Sequence, residues 1–181
     1  MNFGHGGRTV VNASAAYVRT AEYAAALASR PHVVVLMLGT NDCKRTVWGQ
    51  YRQDFGPALA NIGRSFLALP SQPSLLLLVP PPIVQLEGQS APVNDFLPKL
   101  LSGEVRERIQ QVARQLSAES APAGGGITPC APGAVTLLDL HERWTARFGC
   151  VAPPVRASRE RGLDLNPHSW TASDPAPPLD V

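Results

Sequence analysis

The chain has 181 residues, 44% hydrophobic and 17% charged, with a net charge of +2. That composition builds a core and excludes a charged disordered tail. The near-balanced charge, without a run of five basic residues, excludes a dedicated nucleic-acid binder, and the length suits one compact domain.

The first turn is glycine-rich, with Gly4, Gly6 and Gly7. Residues 13–29 are alanine-rich and predict a helix that Pro31 stops. Val33-Val34-Val35-Leu36-Met37-Leu38 follows as a continuous apolar run, the pattern of a strand covered on both faces. It ends in the polar turn Gly39-Thr40-Asn41-Asp42. Tyr51, Phe55, Leu59, Ile62, Phe66 and Leu69 then recur at helical spacing, which predicts one amphipathic helix over 51–69. Leu75–Val79 predicts a second buried strand, closed by Pro80-Pro81-Pro82. Val105, Ile109, Val112 and Leu116 mark a helix over about 104–116, and residues 135–140 predict a third strand. Strands alternating with helices imply a parallel sheet in a three-layer α/β/α, flavodoxin-like arrangement. In such sheets the chemistry gathers at the carboxyl ends of the strands.

Proline is in excess, 18 of 181 residues, and much of it lies beyond Pro122. Residues 1–150 therefore read as the folded domain and 151–181 as a Pro/Arg-rich degenerate or disordered segment. Cys43, Cys130 and Cys150 lack the paired spacing of a zinc site, and the four histidines are scattered. No metal, cofactor or nucleic-acid partner is expected. The longest apolar run is six residues, too short for a membrane span. The opening Met-Asn-Phe-Gly-His-Gly-Gly lacks the apolar stretch of a secretory leader.

The strand ending in Gly39-Thr40-Asn41-Asp42 resembles the third conserved block of the SGNH (GDSL-type) esterase superfamily. Asn2-Phe3-Gly4-His5-Gly6-Gly7-Arg8-Thr9 is similar to its second block. Ser29-Arg30-Pro31-His32, Tyr51-Arg52-Gln53-Asp54-Phe55 and Leu78-Val79-Pro80-Pro81-Pro82 look like its carbohydrate-acetylesterase-like members. The resemblance covers roughly residues 1–118. It implies serine acyl transfer on a carboxyl or acetyl ester, with a small-molecule or carbohydrate ester as substrate. It further implies that the Gly7 N–H and the Asn41 amide donate to the oxyanion. Glycine suits the first role because no side chain blocks approach, and asparagine the second because its amide donates without a charge. Asp42 is expected to tie down the loop through backbone N–H groups.

The chain departs from the pattern at two places. No Gly-Asp-Ser block precedes Gly4, so the sheet is expected to lack its first strand and the unit to be truncated at its N-terminus. In Arg161-Gly162-Leu163-Asp164-Leu165-Asn166-Pro167, Arg161 stands at the family's aspartate and Asp164 at its histidine. His168 is then the remaining base candidate, with Asp164 to orient it, and His141 a weaker one. His32 is expected to cap a buried edge. Cys43 is a surrogate nucleophile only if Lys44 and Arg45 favour its thiolate; its other reading is a plain loop cysteine. The runner-up function is an inactive homologue that binds a glycan or ester, and a flavodoxin-like interaction module stands third.

Overall fold

The computed structural model describes residues 1–11, 14–83, 95–120 and 131–148. Asp164 and His168, Cys130 and Cys150, and the whole of 151–181 lie outside the described residues.

The fold class is α/β. Three parallel strands, β1 (Val33–Met37), β2 (Ser74–Val79) and β3 (Val135–Asp139), form one sheet in the order β1-β2-β3. The register sets Val34 beside Leu75 and Leu36 beside Leu77, then Leu75 beside Val135 and Leu77 beside Leu137. Around the sheet run α1 (Ala21–Ala28), α2 (Arg45–Tyr51), α3 (Phe55–Leu67), α4 (Pro98–Ser102), α5 (Glu104–Ser120) and α6 (Leu140–Phe148). Helices α3 and α5 pack on each other and on β2, and α5 also packs on β3. Their buried faces carry Phe55, Leu59, Ile62 and Phe66 on α3, and Val105, Ile109, Val112 and Leu116 on α5. This is where the apolar spacing had placed the core.

Three expectations shift. The alanine-rich stretch becomes a helix only at Ala21, because Thr20 is extended and its hydroxyl accepts the Tyr23 N–H at 3.1 Å, which caps the first turn. Tyr17–Arg19 before it form a 3-10 turn. The single helix expected over 51–69 is two, since Arg52–Asp54 form a turn between α2 and α3. The third concerns β1. Val34 and Leu36 are buried, but Val33 and Val35 are each 61% exposed and Met37 49%. An apolar run marks a strand that could be covered on both faces; among the described residues only one face of β1 is. By contrast β2 is buried almost throughout. His32 does not cap a buried edge: it is exposed at the start of β1.

Candidate active site at the carboxyl end of the first strand

Gly39, two residues after β1, has φ +117°, a conformation side-chain-bearing residues rarely adopt. A Cβ there would also press on Val105, Ile109 and Phe55. The chain therefore turns at once, and Asn41–Cys43 form a 3-10 turn above the core. Asp42 is fully buried. Its carboxylate accepts the Val10 N–H at 3.0 and 3.1 Å and the Val11 N–H at 3.2 Å. It thus ties the N-terminal loop to the strand end, the role expected for it. Burial raises its carboxyl to about 6, against the pull of the two N–H donors.

Asn41 lies on the same seam. Its Nδ2 donates to the Arg8 carbonyl oxygen at 3.0 Å. That bond joins the two sequence blocks, and it leaves one of the two amide hydrogens for another acceptor. Gly7 directly precedes Arg8. It is exposed at φ +78°, with open space where a Cβ would sit. Its N–H makes no hydrogen bond among the described residues.

A cluster around His5 adds what spacing did not reveal. Arg8 Nη2 lies 2.8 Å from His5 Nε2, and Glu22 Oε1 lies 2.9 Å from His5 Nδ1. A guanidinium only donates, so Nε2 accepts and the ring proton sits on Nδ1, toward Glu22. The Glu22 carboxyl is held below its ordinary range, first by its own backbone N–H and then by His5. Arg8 Nε is buried with no partner among the described residues. The only sequence signal for this arrangement is a histidine inside a glycine turn; Glu22 is brought to it by the capped start of α1.

Other candidates separate from this corner. Cys43 is buried and its thiol donates to the Gly39 carbonyl at 3.4 Å. Burial, then the Asp42 charge, push that thiol up to about 12. The plain loop cysteine is the right reading, because Lys44 lies over the Phe96 ring and Arg45 pairs with Asp95 instead. At the end of β3, Asp139 accepts from Arg106 at 2.7 Å, Gln110 at 3.1 Å and the Glu142 N–H at 2.9 Å. Asp139 thereby caps α6 and does not orient His141. Burial opposes its ionisation, yet these donors hold it below its ordinary range. Burial, then Arg106, lower His141. The bonds of His5 go to Arg8 and Glu22, neither of them a hydroxyl or thiol that a histidine base would activate. Among the described residues no group of three or more His, Cys, Asp or Glu could hold a metal, and no helix is long and apolar enough to cross a membrane. A cavity of about 870 Å³ takes in Gly4 and His5 but runs along β1; neither Gly7 nor Asn41 lines it.

The chain is 33% identical over 131 residues to an acetylxylan esterase of Xylanibacter ruminicola, an alignment covering 63% of this chain and 26% of that protein. The relationship is to an esterase. The chain spans about a quarter of the length of this curated relative. No family model and no solved structure matches the chain.

Proposed function

We propose that this chain carries the acyl-binding corner of an SGNH-type ester hydrolase acting on a carboxyl or acetyl ester, with a carbohydrate ester as substrate. The observation that carries the reading is the bond from Asn41 Nδ2 to the Arg8 carbonyl. It holds an uncharged side-chain donor close to a glycine whose N–H has no acceptor among the described residues. Two such donors fixed before the substrate arrives stabilise the oxyanion that forms when an ester carbonyl is attacked. The relationship to an acetylxylan esterase supports both the reaction class and the sugar ester. In this reading a serine attacks the carbonyl and a histidine takes its proton.

A second reading is an ester- or glycan-binding homologue without turnover. It is favoured by Arg161 and Asp164 at the positions of the family's aspartate and histidine. Hydrolysis of p-nitrophenyl acetate and of an acetylated xylooligosaccharide separates the two. The serine block lies outside this chain, and under the hydrolase reading Asn41→Ala lowers any measured turnover at least tenfold, since one lost oxyanion donor typically costs about 10²–10³. An unchanged rate removes Asn41 from the site. Oligosaccharide binding without release of acetate selects the second reading.

A further inference from the structure

The opening turn is an awkward place to fix a donor. Gly6 and Gly7 form a turn between His5 and Arg8, and residues 4–7 are exposed. Glycine has the largest backbone freedom of any residue, and here two stand side by side. No main-chain bond ties residues 4–7 to another element among the described residues. The Gly4 N–H donates to Asn2 Oδ1, two residues back, and the Tyr17 hydroxyl holds the Phe3 carbonyl, ahead of the glycines. Yet a donor that stabilises an oxyanion must be in place before the charge forms.

Side chains close the turn instead. Arg8 Nη2 reaches back across the two glycines to His5 Nε2 at 2.8 Å, and His5 Nδ1 meets Glu22 Oε1 at 2.9 Å. Glu22 is the second residue of α1, whose first turn Thr20 caps, so this chain of bonds ends on a fixed element. Arg8 is held on its other side by Asn41, through its carbonyl. The turn is thus clasped at both ends, by α1 through His5 and by the turn after β1 through Arg8. The neutral imidazole suits its place. Its Nδ1–H faces an anion and its Nε2 lone pair faces a cation, so both bonds are charge-assisted and each polarises the other. A ring with its proton on Nε2 instead would offer a donor to Arg8 and a bare nitrogen to the Glu22 carboxylate, and both bonds would be lost.

We propose that Glu22 and His5 are positioning residues for the Gly7 N–H. Glu22 selects the His5 tautomer, His5 holds the Arg8 guanidinium, and this clasp keeps the glycine turn in one conformation. The use of the clasp in acyl transfer rests on the hydrolase reading; the clasp itself does not.

The test is NMR of the full chain at about pH 8, where an ordinary imidazole is neutral. The ring nitrogen signals of His5 are expected to show Nδ1 protonated and Nε2 bare, and the Gly7 amide an order parameter near the rigid value of about 0.85. Glu22→Ala should move the ring proton toward Nε2 and lower the Gly7 order parameter to about 0.6 or below. Glu22→Gln also removes the charge at the start of α1 but keeps an oxygen acceptor. It should restore the tautomer and most of the rigidity, so the gap between the two variants isolates the bond to His5. His5→Ala should loosen Gly7 as much as Glu22→Ala does, and the double variant no further, since both break one chain of contacts. Amides of α3 and α5 should stay as they are in every variant, which separates a loosened turn from a loosened fold. Four results would each overturn the proposal: His5 protonated on Nε2 in the unaltered chain, a Gly7 amide already mobile there, Gly7 equally rigid in Glu22→Ala, or equal loosening by Glu22→Gln and Glu22→Ala. Asn41→Ala in the ester assay tests the hydrolase reading separately. Turnover unchanged there, with Gly7 loosened by Glu22→Ala, removes the chemical use and upholds the clasp.

Discussion

The α3–α5–β2 block and the N-terminal seam are held by different forces. In the block, Phe55, Leu59, Ile62, Leu75, Ile109 and Leu116 are 1% exposed or less and touch one another across helices and sheet. Apolar burial of this kind is non-directional and cooperative. The seam is held by directional bonds spanning long stretches of chain: Asp42 to the Val10 and Val11 N–H groups, Asn41 to the Arg8 carbonyl, and Tyr17 Oη to the Phe3 carbonyl. The block supplies stability, and the seam supplies the shape of the glycine corner. Damage to each should be read out differently.

The largest stability effect should come from the block. Leu116→Ala is expected to cost about 4 kcal/mol in urea unfolding, the upper part of the range for a buried leucine that leaves a cavity. Any ester turnover, per folded molecule, should not change. On the seam, Asp42→Ala leaves two buried N–H groups without an acceptor and should cost about 3 kcal/mol. Its pH dependence sharpens the contrast. The Asp42 carboxyl lies at about 6 when folded against an ordinary 3.8. The folded state therefore holds this proton more tightly than the unfolded chain does. The contribution is full below about pH 4 and is lost as pH rises through 6, a fall of about 3 kcal/mol. Asp42→Ala should remove that fall from stability curves measured between pH 4 and 7. Glu119, held at about 2 first by Arg64 and then by Gln115, acts in the opposite sense. Its contribution is present above pH 4.5 and is lost toward pH 2, so the two windows meet only near pH 4. The smallest effect belongs to the rim of the block. Trp48→Phe keeps the ring against Phe55 but loses the Nε1–H bond to Glu104 at 2.8 Å. It should cost about 1 kcal/mol by thermal unfolding.

The block was legible in the sequence because its signal is periodic. Val105, Ile109, Val112 and Leu116 announce both a helix and the face it buries. The turn Gly39–Asp42 was legible as punctuation, and Asp42 as a loop tie. Three features were not. The break at Arg52–Asp54 carries no glycine or proline, so the apolar spacing of α3 ran on into α2. The bare face of β1 depends on what lies over it, which a strand's own residues do not encode. The inertness of Cys43 follows from burial beside Asp42, which decides for the plain loop cysteine where the neighbours Lys44 and Arg45 left a thiolate open. Of the site candidates, Gly7 and Asn41 could be located through Arg8, while Asp164 and His168 lie outside the described residues.

The Asp42 contact has a kinetic consequence as well. It spans 32 residues to Val10 and joins two loops that are separated by α1 and β1. Contacts of such separation are favourable only after the chain between them has been ordered. The opening turn should therefore dock after the rate-limiting barrier, once β1 and β2 have paired. In a chevron experiment Asp42→Ala should speed unfolding and leave the folding limb almost untouched; a matched slowing of folding would place the loop in the nucleus instead.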